Sequence, residues 1–463
     1  MKNMKLKFLY LLSCFCLLTA GCSDDTETMA PVEVTLSQTE FNDLSYEGEL
    51  CELDLHATGP WTATSEADWC RVTRPEGVSD TKMVLEVEAN LGEARTSQVV
   101  ISWGTNSTAA ITVHQQGLPG GEELYYKLPV IFHVIYANEA DPTQNIPAET
   151  IYTMLKKANA LYKNAGGEHT TDFNLEFVLA QYDPQGNPLK EPGINRVKWP
   201  TAVLNPITVM QDPTQSKNYT HFLWEPNDYI NVLLYHFESS TSNIMGVSTF
   251  PYTTESHPLA GTTVLKDMNI SLENLSYVHG VSINSTFVGN RIKDVMLPFA
   301  PAEWKALVGI QVADYVTLAH ELGHYLGLRH TFSESSAGTL DTDLCSDTPF
   351  YNKTEYDNYV MQELTRLTYT SGYAETFVWE ELFQRTTPSG ERVEAHNIMD
   401  YSYCYQDEFT AEQRKRARHI LNFSPLIPGP KQTRAYLKTI AATRGVMDLP
   451  FEVSICGPLH YRK

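Results

Sequence analysis

A chain of 463 residues is too long for one ordinary hydrophobic core, and its length allows about three folding units. Its formal charge of −22, from 34 Lys and Arg against 56 Asp and Glu, opposes nucleic-acid binding, and no basic-aromatic platform offsets it. Apart from the N-terminal leader, no stretch is long and apolar enough to cross a bilayer.

The leader comes first. Lys2, Lys5 and Lys7 make a basic start, and Phe8 to Leu18 is an apolar run too short to span as a stable helix, the pattern of an export signal. Leu18-Thr19-Ala20-Gly21-Cys22 resembles a bacterial lipobox, with Thr19 where an aliphatic residue is usual and Leu18 one step early. The resemblance implies a signal peptide over 1–22 ending in a lipidated Cys22, then a tether over 23–31; the alternative is simple secretion. Ser23-Asp24-Asp25 resembles the acidic tag that carries some lipoproteins outward, which implies a lipid anchor on the bacterial outer membrane facing the cell exterior. The bland reading of that run is a solvated tether.

Residues 32–117 read as an all-β sandwich. Alternating runs at Cys51 to His56, Lys82 to Ala89, Ser97 to Trp103 and Ala109 to Gln115 are separated by Gly59-Pro60, Pro75-Glu76-Gly77 and Gly104-Thr105-Asn106. Trp61, Asp68-Trp69, Ala89-Asn90, Arg95 and the closing Val113-His114-Gln115-Gln116-Gly117 resemble the BACON domain. That family implies contact with glycan or mucin. The residues themselves read as a spacer that lifts the rest from the membrane, with Trp61 and Trp69 as core aromatics. Residues 118–124, with Pro119-Gly120-Gly121, make a linker.

Residues 125–425 read as α/β. Pro147 to Asn164 is an amphipathic helix with Ile151, Met154, Leu155, Ala158 and Leu161 on one side. Phe173 to Ala180 and Tyr229 to Tyr235 are strands, and Glu303 to Leu326 carries helical spacing. Phe332 to Asn397 has an irregular, polar character. Thr410 to Leu421 reads as a closing helix, with Thr410 and Gln413 spaced as a capping box. The C-terminal extension, 426–463, gives no functional reading.

The chemistry concentrates in His320-Glu321-Leu322-Gly323-His324-Tyr325-Leu326-Gly327-Leu328-Arg329-His330. Residues four apart share one helix face, so His320 and His324 can offer imidazoles to one metal ion. Glu321 lies about 100° round the helix, where its carboxylate reaches a water on the metal without taking a ligand position. Gly327 can adopt positive φ and return the chain so that His330 becomes a third ligand. Three neutral nitrogens leave the fourth tetrahedral position of zinc open, as a catalytic site requires.

Together with Leu326-Gly327-Leu328-Arg329-His330-Thr331-Phe332, Asp347-Thr348-Pro349 and Asn397-Ile398-Met399-Asp400-Tyr401-Ser402, this motif resembles the pappalysin (cytophagalysin-like) family of metzincin metalloendopeptidases. Leu128 to Tyr136, Pro192 to Arg196 and Tyr229 to Val232 resemble other parts of that domain. The resemblance implies a multidomain protein whose sandwich precedes a metzincin-like domain with a twisted mixed sheet and a long active-site helix. It implies one catalytic zinc per chain on His320, His324 and His330, Glu321 as general base and acid, and a turn at Met399 beneath the metal. It also implies that Tyr401 steadies the tetrahedral intermediate, the bland reading being a packing aromatic beside Tyr403 and Tyr405. The substrate would be a protein or peptide. A non-catalytic surface adhesin binding host glycoprotein is the alternative, and Glu321 speaks against it.

Five cysteines follow Cys22: Cys51, Cys70, Cys345, Cys404 and Cys456. Export permits disulfides. The family implies a bridge near the site, which points to Cys345 with Cys404; Cys51 with Cys70 fits their shared domain, and Cys456 is left over. Asp341, Asp343 and Asp347 are hard oxygen donors where related proteases bind structural calcium, although acidic loop residues are also commonly just solvated. His133, His396 and His419 lack partner spacing and read as structural.

Overall fold

The computed structural model describes residues 31–119, 123–163, 171–211, 219–289, 313–429 and 442–457, apart from positions 47, 89, 91, 242 and 402. The leader and Cys22 lie outside the described residues. Among the described residues no helix is long and apolar enough to cross a membrane.

The N-terminal domain is a sandwich of two sheets. Its strands are β1 (Val34–Leu36), β2 (Glu40–Leu44), β3 (Glu49–Ala57), β4 (Trp61–Ser65), β5 (Cys70–Val72), β6 (Glu76–Gly77), β7 (Thr81–Val87), β8 (Arg95–Trp103) and β9 (Ser107–Gln115). One sheet runs β1-β3-β7-β5 and the other β2-β9-β8-β4-β6, antiparallel except where β2 lies parallel to β9. The period-2 pattern sends Leu53, Leu55, Met83, Leu85, Val99, Ile101, Ile111 and Val113 inward to one core. Trp61 is buried with its indole N–H donating to the Ser79 carbonyl at 3.1 Å, and Arg95 covers the Trp69 ring at 4.2 Å. Both tryptophans are therefore engaged in the domain's own packing.

The second half is built on a mixed sheet. Its strands are β10 (Tyr126–Tyr136), β11 (Leu175–Leu179), β12 (Ile194–Lys198), β13 (Val203–Leu204), β14 (Ile230–Phe237) and β15 (Gly246–Thr249). A short parallel pair, β16 (Tyr252–Thr254) and β17 (Thr263–Leu265), comes before β18 (Val281–Asn284). A hairpin, β19 (Gln384–Thr386) with β20 (Arg392–Glu394), and β21 (Val453–Cys456) complete the set. The sheet order is β11-β10-β14-β18-β15-β21, with β12 also on β10 and β13 on β14. β15 runs antiparallel to β18, and β21 antiparallel to β15. Residues 453–456, within the C-terminal extension, are therefore the outermost strand of this mixed sheet.

Alternation along β10 and β14 divides the core. Val130, Phe132 and Val134, with Val232 and Leu234, face the helices, while Leu233, Tyr235 and Phe237 fill the opposite layer. The predicted opening helix is present as Ala148–Tyr162, burying Ile151, Met154, Leu155, Ala158 and Tyr162 against Leu318, Ala319 and Leu322 of the active-site helix. That active-site helix runs Asp314–Tyr325; the expected portion from Glu303 to Gln311 and on to Val312 lies outside the described residues. The closing helix is Ala411–Phe423, with the expected reciprocal cap between Thr410 and Gln413.

The stretch from Phe332 to Asn397 is less irregular than expected. It holds a helix over Lys353–Tyr369, capped by the Asn352 side chain. Tyr356, Val360, Glu363 and Leu367 bury one face of it, and the rest is polar, so the apolar stripe is narrow.

Candidate metal centre

The active-site helix ends so as to bring a third imidazole back. Gly327 has φ 85°, its N–H donates to the His324 carbonyl at 2.9 Å, and the Leu328 N–H donates to the Gly323 carbonyl at 2.9 Å. This double closure terminates the helix through a left-handed residue that only glycine adopts cheaply. A Cβ at Gly327 would also meet Ile420 at 2.9 Å.

His320, His324 and His330 converge. The His324 Nε2 lies 3.1 Å from both the His320 and His330 Nε2 atoms. Each Nδ1 is committed elsewhere: His320 to the Ile398 carbonyl at 2.7 Å, His324 to the Leu328 carbonyl at 2.8 Å, and His330 to the Glu334 carboxylate at 2.7 Å. Those acceptors require Nδ1–H, so all three Nε2 atoms present lone pairs to one another and cannot satisfy each other. Burial holds the imidazoles neutral, His320 at about 4 and the other two well below the ordinary value. Metal–nitrogen bonds of about 2.0–2.1 Å place tetrahedral ligands about 3.3 Å apart, close to the spacing found. The residues fit zinc, and the three acceptors on Nδ1 are the outer contacts that orient metal-bound histidines.

Glu321 is fully buried beside them, with the Cys456 thiol as its neighbour and no N–H or O–H donor on either carboxylate oxygen among the described residues. Burial pushes its carboxyl up to about 8. Gly246 of β15 touches it: a Cβ there would lie 2.5 Å from the Glu321 Cγ and Oε1. Gly246 was not visible as a site residue in the sequence, because nothing local marks its contact with a helix 75 positions later. Gly246→Ala is expected to displace the Glu321 carboxylate and lower kcat by about 10–10²-fold with zinc content unchanged. Equal kcat in the two proteins would show that Glu321 tolerates the shift.

Met399 lies beneath the helix as expected. It is fully buried, and its Sδ would be 2.5 Å from a Cβ at Gly323, so this motif position must be glycine. Asn397 Oδ1 accepts from the Met399 N–H at 2.9 Å, and the Ile398 carbonyl holds His320. A buried ion pair missed from the sequence fixes the same turn: Arg385 Nε to Asp400 Oδ2 at 3.1 Å, with the Tyr351 hydroxyl on Oδ1 at 2.6 Å. The Tyr401 ring stands 4.6 Å from His330, and its hydroxyl donates to the Ile455 carbonyl at 3.1 Å.

Cys456, the odd cysteine of the sequence, is in the centre. Its Sγ is 3.3, 3.4 and 3.6 Å from the Nε2 atoms of His320, His324 and His330. Among the described residues this is the one group of three or more His, Cys, Asp or Glu that could share an ion. With β21 in place the remaining cavity is about 40 Å³, lined by residues including Thr317, His320, Glu321, Tyr401 and Cys456. A larger cavity of about 580 Å³, bordered by Arg71, Glu86, Lys127, Tyr182 and Tyr229, shares no residue with it.

Other expectations need correction. Cys345 and Cys404 form no bridge: the first thiol points to the Asp343 carbonyl at 3.6 Å and the second to the Asn397 carbonyl at 3.3 Å. Cys51 and Cys70 are also thiols, paired in register with Leu85 and Val87, and burial pushes them up to about 12 and about 11. Asp341, Asp343 and Asp347 lie in one loop, and the carboxylates of Asp341 and Asp343 are neighbours. Asp347 caps the closing helix, accepting from Thr410 Oγ1 at 2.7 Å and the Glu412 N–H at 2.9 Å. Buried Asp343 accepts from the Cys345 N–H and Thr348, and its carboxyl rises to about 7. Asp341 accepts from the Asp343 N–H at 3.2 Å. His133, His396 and His419 are structural, held by Asn231, Asp407 and the His257 carbonyl.

Residues 308–422 match the family described as pregnancy-associated plasma protein-A, and residues 31–118 match the viral BACON domain. The chain is 35% identical over 101 residues to extracellular metalloproteases of Arthroderma benhamiae and Trichophyton verrucosum. That stretch is 22% of this chain and 29% of each relative, so the chain spans less than a third of the curated relatives it matches. Among solved structures it is similar to Tannerella forsythia mature mirolysin in complex with a cleaved peptide, at 20% identity and TM-score 0.40, covering 64% of this chain and 92% of that one. The zinc-motif segment, residues 308–422, is thus similar to the pregnancy-associated plasma protein-A family, and the segment before it, residues 31–118, to the viral BACON domain.

Proposed function

We propose that this chain is a surface-anchored, zinc-dependent metalloendopeptidase. The observation that carries the reading is the conjunction of three Nε2 lone pairs with a buried carboxylate beside them that has no N–H or O–H donor among the described residues. Zinc, when bound, activates water and polarises the scissile carbonyl. Glu321 accepts the attacking water's proton and returns one to the leaving amine; a carboxyl with its ordinary value raised is suited to both transfers. Tyr401 already donates its hydroxyl to a peptide carbonyl, that of Ile455, and the same donor serves an oxyanion formed there. The basic and apolar leader and Cys22 support a lipid anchor in the outer membrane, with the sandwich as spacer.

The test is cleavage-site mapping on a peptide library, with and without 1,10-phenanthroline. Because Val453–Cys456 lies in the cleft, it is run on the wild-type chain and on Cys456→Ala. About one zinc per chain and cleavage abolished by the chelator and restored by zinc are expected. If both zinc-loaded proteins leave the library uncut, the reading is wrong.

A further inference from the structure

The chain's own C-terminal strand occupies the place where an extended peptide would bind. Without β21, β15 would be the exposed edge of the catalytic sheet, and an edge strand beside a catalytic carboxylate is a template for strand addition. β21 fills it antiparallel, with Gly246 opposite Cys456, Val247 opposite Ile455, Ser248 opposite Ser454 and Thr249 opposite Val453. The Met245 N–H donates to the Cys456 carbonyl at 2.7 Å, and the Phe250 N–H to the Glu452 carbonyl at 3.1 Å. Arg329, next to the third histidine, pairs with Glu452 at 2.5 Å and so holds the strand's other end. Strand alternation turns Ser454 and Cys456 inward and leaves Ile455 exposed.

The distances set what Cys456 does there. Zinc–sulfur bonds are about 2.3 Å and zinc–nitrogen bonds about 2.0–2.1 Å, so a tetrahedral N3S site separates sulfur from each nitrogen by about 3.5 Å. Cys456 Sγ lies 3.3, 3.4 and 3.6 Å from the three Nε2 atoms. A site closed by four protein ligands has no position left for water. The residual cavity of about 40 Å³ has room for about a single water and none for a peptide.

We infer that residues 452–456 are a built-in inhibitor: β21 takes the substrate's place on β15, and Cys456 supplies a fourth metal ligand that keeps the enzyme latent. The inference rests on the peptidase reading above and is tested separately from it. In cobalt(II)-substituted protein, sulfur coordination gives a sulfur-to-cobalt charge-transfer band in the near ultraviolet. The wild-type chain is expected to show that band and Cys456→Ala to lack it, with three-histidine metal binding retained. Cys456→Ala is expected to cut peptides about 10–10²-fold faster, which corresponds to a closed population of about 90–99% in the wild type. Because the band is read on the unaltered chain, the ligand assignment does not depend on the variant folding. A wild-type protein without the band, or one with the band that cuts as fast as Cys456→Ala, overturns the inhibitor. If neither protein cuts, the peptidase reading fails instead, and the spectrum still decides whether Cys456 is a ligand.

Discussion

Replacing His330 by alanine is expected to empty the metal site and abolish peptidase activity together. Two histidines one helical turn apart hold zinc only weakly, whereas the third arrives through the Gly327 turn and completes the set. Its Nδ1 is locked on Glu334, so the ring is held in place, and alanine leaves that partly buried carboxylate with Arg329 alone. Activity should fall to background, and zinc after dialysis to well under one per chain. Stability should fall too: zinc at about a thousandfold above its dissociation constant stabilises the folded state by about 4 kcal/mol, and that linkage disappears with the ligand. Added zinc should therefore raise the Tm of the wild type by several degrees and leave His330→Ala unmoved. A variant that keeps one zinc and full activity would remove the three-histidine assignment.

Local patterns in the sequence were legible where the physics is local. Spacing of four on a helix placed His320 with His324, glycine at 327 announced the turn, and the Thr410–Gln413 pair announced a cap. The missed helix over Lys353–Tyr369 also had a period, at Tyr356, Val360, Glu363 and Leu367, but one of the four is acidic and polar residues surround them. What could not be read was long-range. β21 is four residues long and pairs with a strand about two hundred positions earlier, so no local signal gives its register. Cys456 offered one clue, an unpaired count, and bridge-seeking arithmetic set it aside as surplus. The family resemblance joined Cys345 to Cys404 near the site, although each thiol has a backbone carbonyl of its own loop to bond. Carboxylates misled in a related way. Asp347 serves a helix N-terminus 63 residues away, where a partial positive charge and free N–H groups take the place of an ion.

Glu321→Gln is expected to keep zinc and lose the chemistry. Glutamine matches glutamate in size and helix propensity, and the side chain neighbours the Cys456 thiol and is hydrogen-bonded to none of the three clustered Nε2 atoms, so the histidines keep their geometry. The amide cannot accept a proton. Measured in the Cys456→Ala background, where the fourth protein ligand is gone, kcat should drop by about 10²–10⁴-fold with KM little changed, because proton transfer belongs to the transition state and not to peptide binding. The environment strengthens the expectation. Both oxygens of Glu321 are buried with no N–H or O–H donor among the described residues, an arrangement that destabilises the fold and makes sense only if a reacting group completes it. Replacing this buried ionisable group should therefore leave stability the same or raise it, so Glu321→Gln should melt no lower than its parent while being far slower. That opposition separates a catalytic carboxylate from a structural one: a structural Glu321 would lose stability on substitution and keep its rate. Zinc content measured on the same samples excludes lost metal as the cause. Full peptidase activity in zinc-replete Glu321→Gln would show that another group moves the proton, and the mechanism would have to be rebuilt without it.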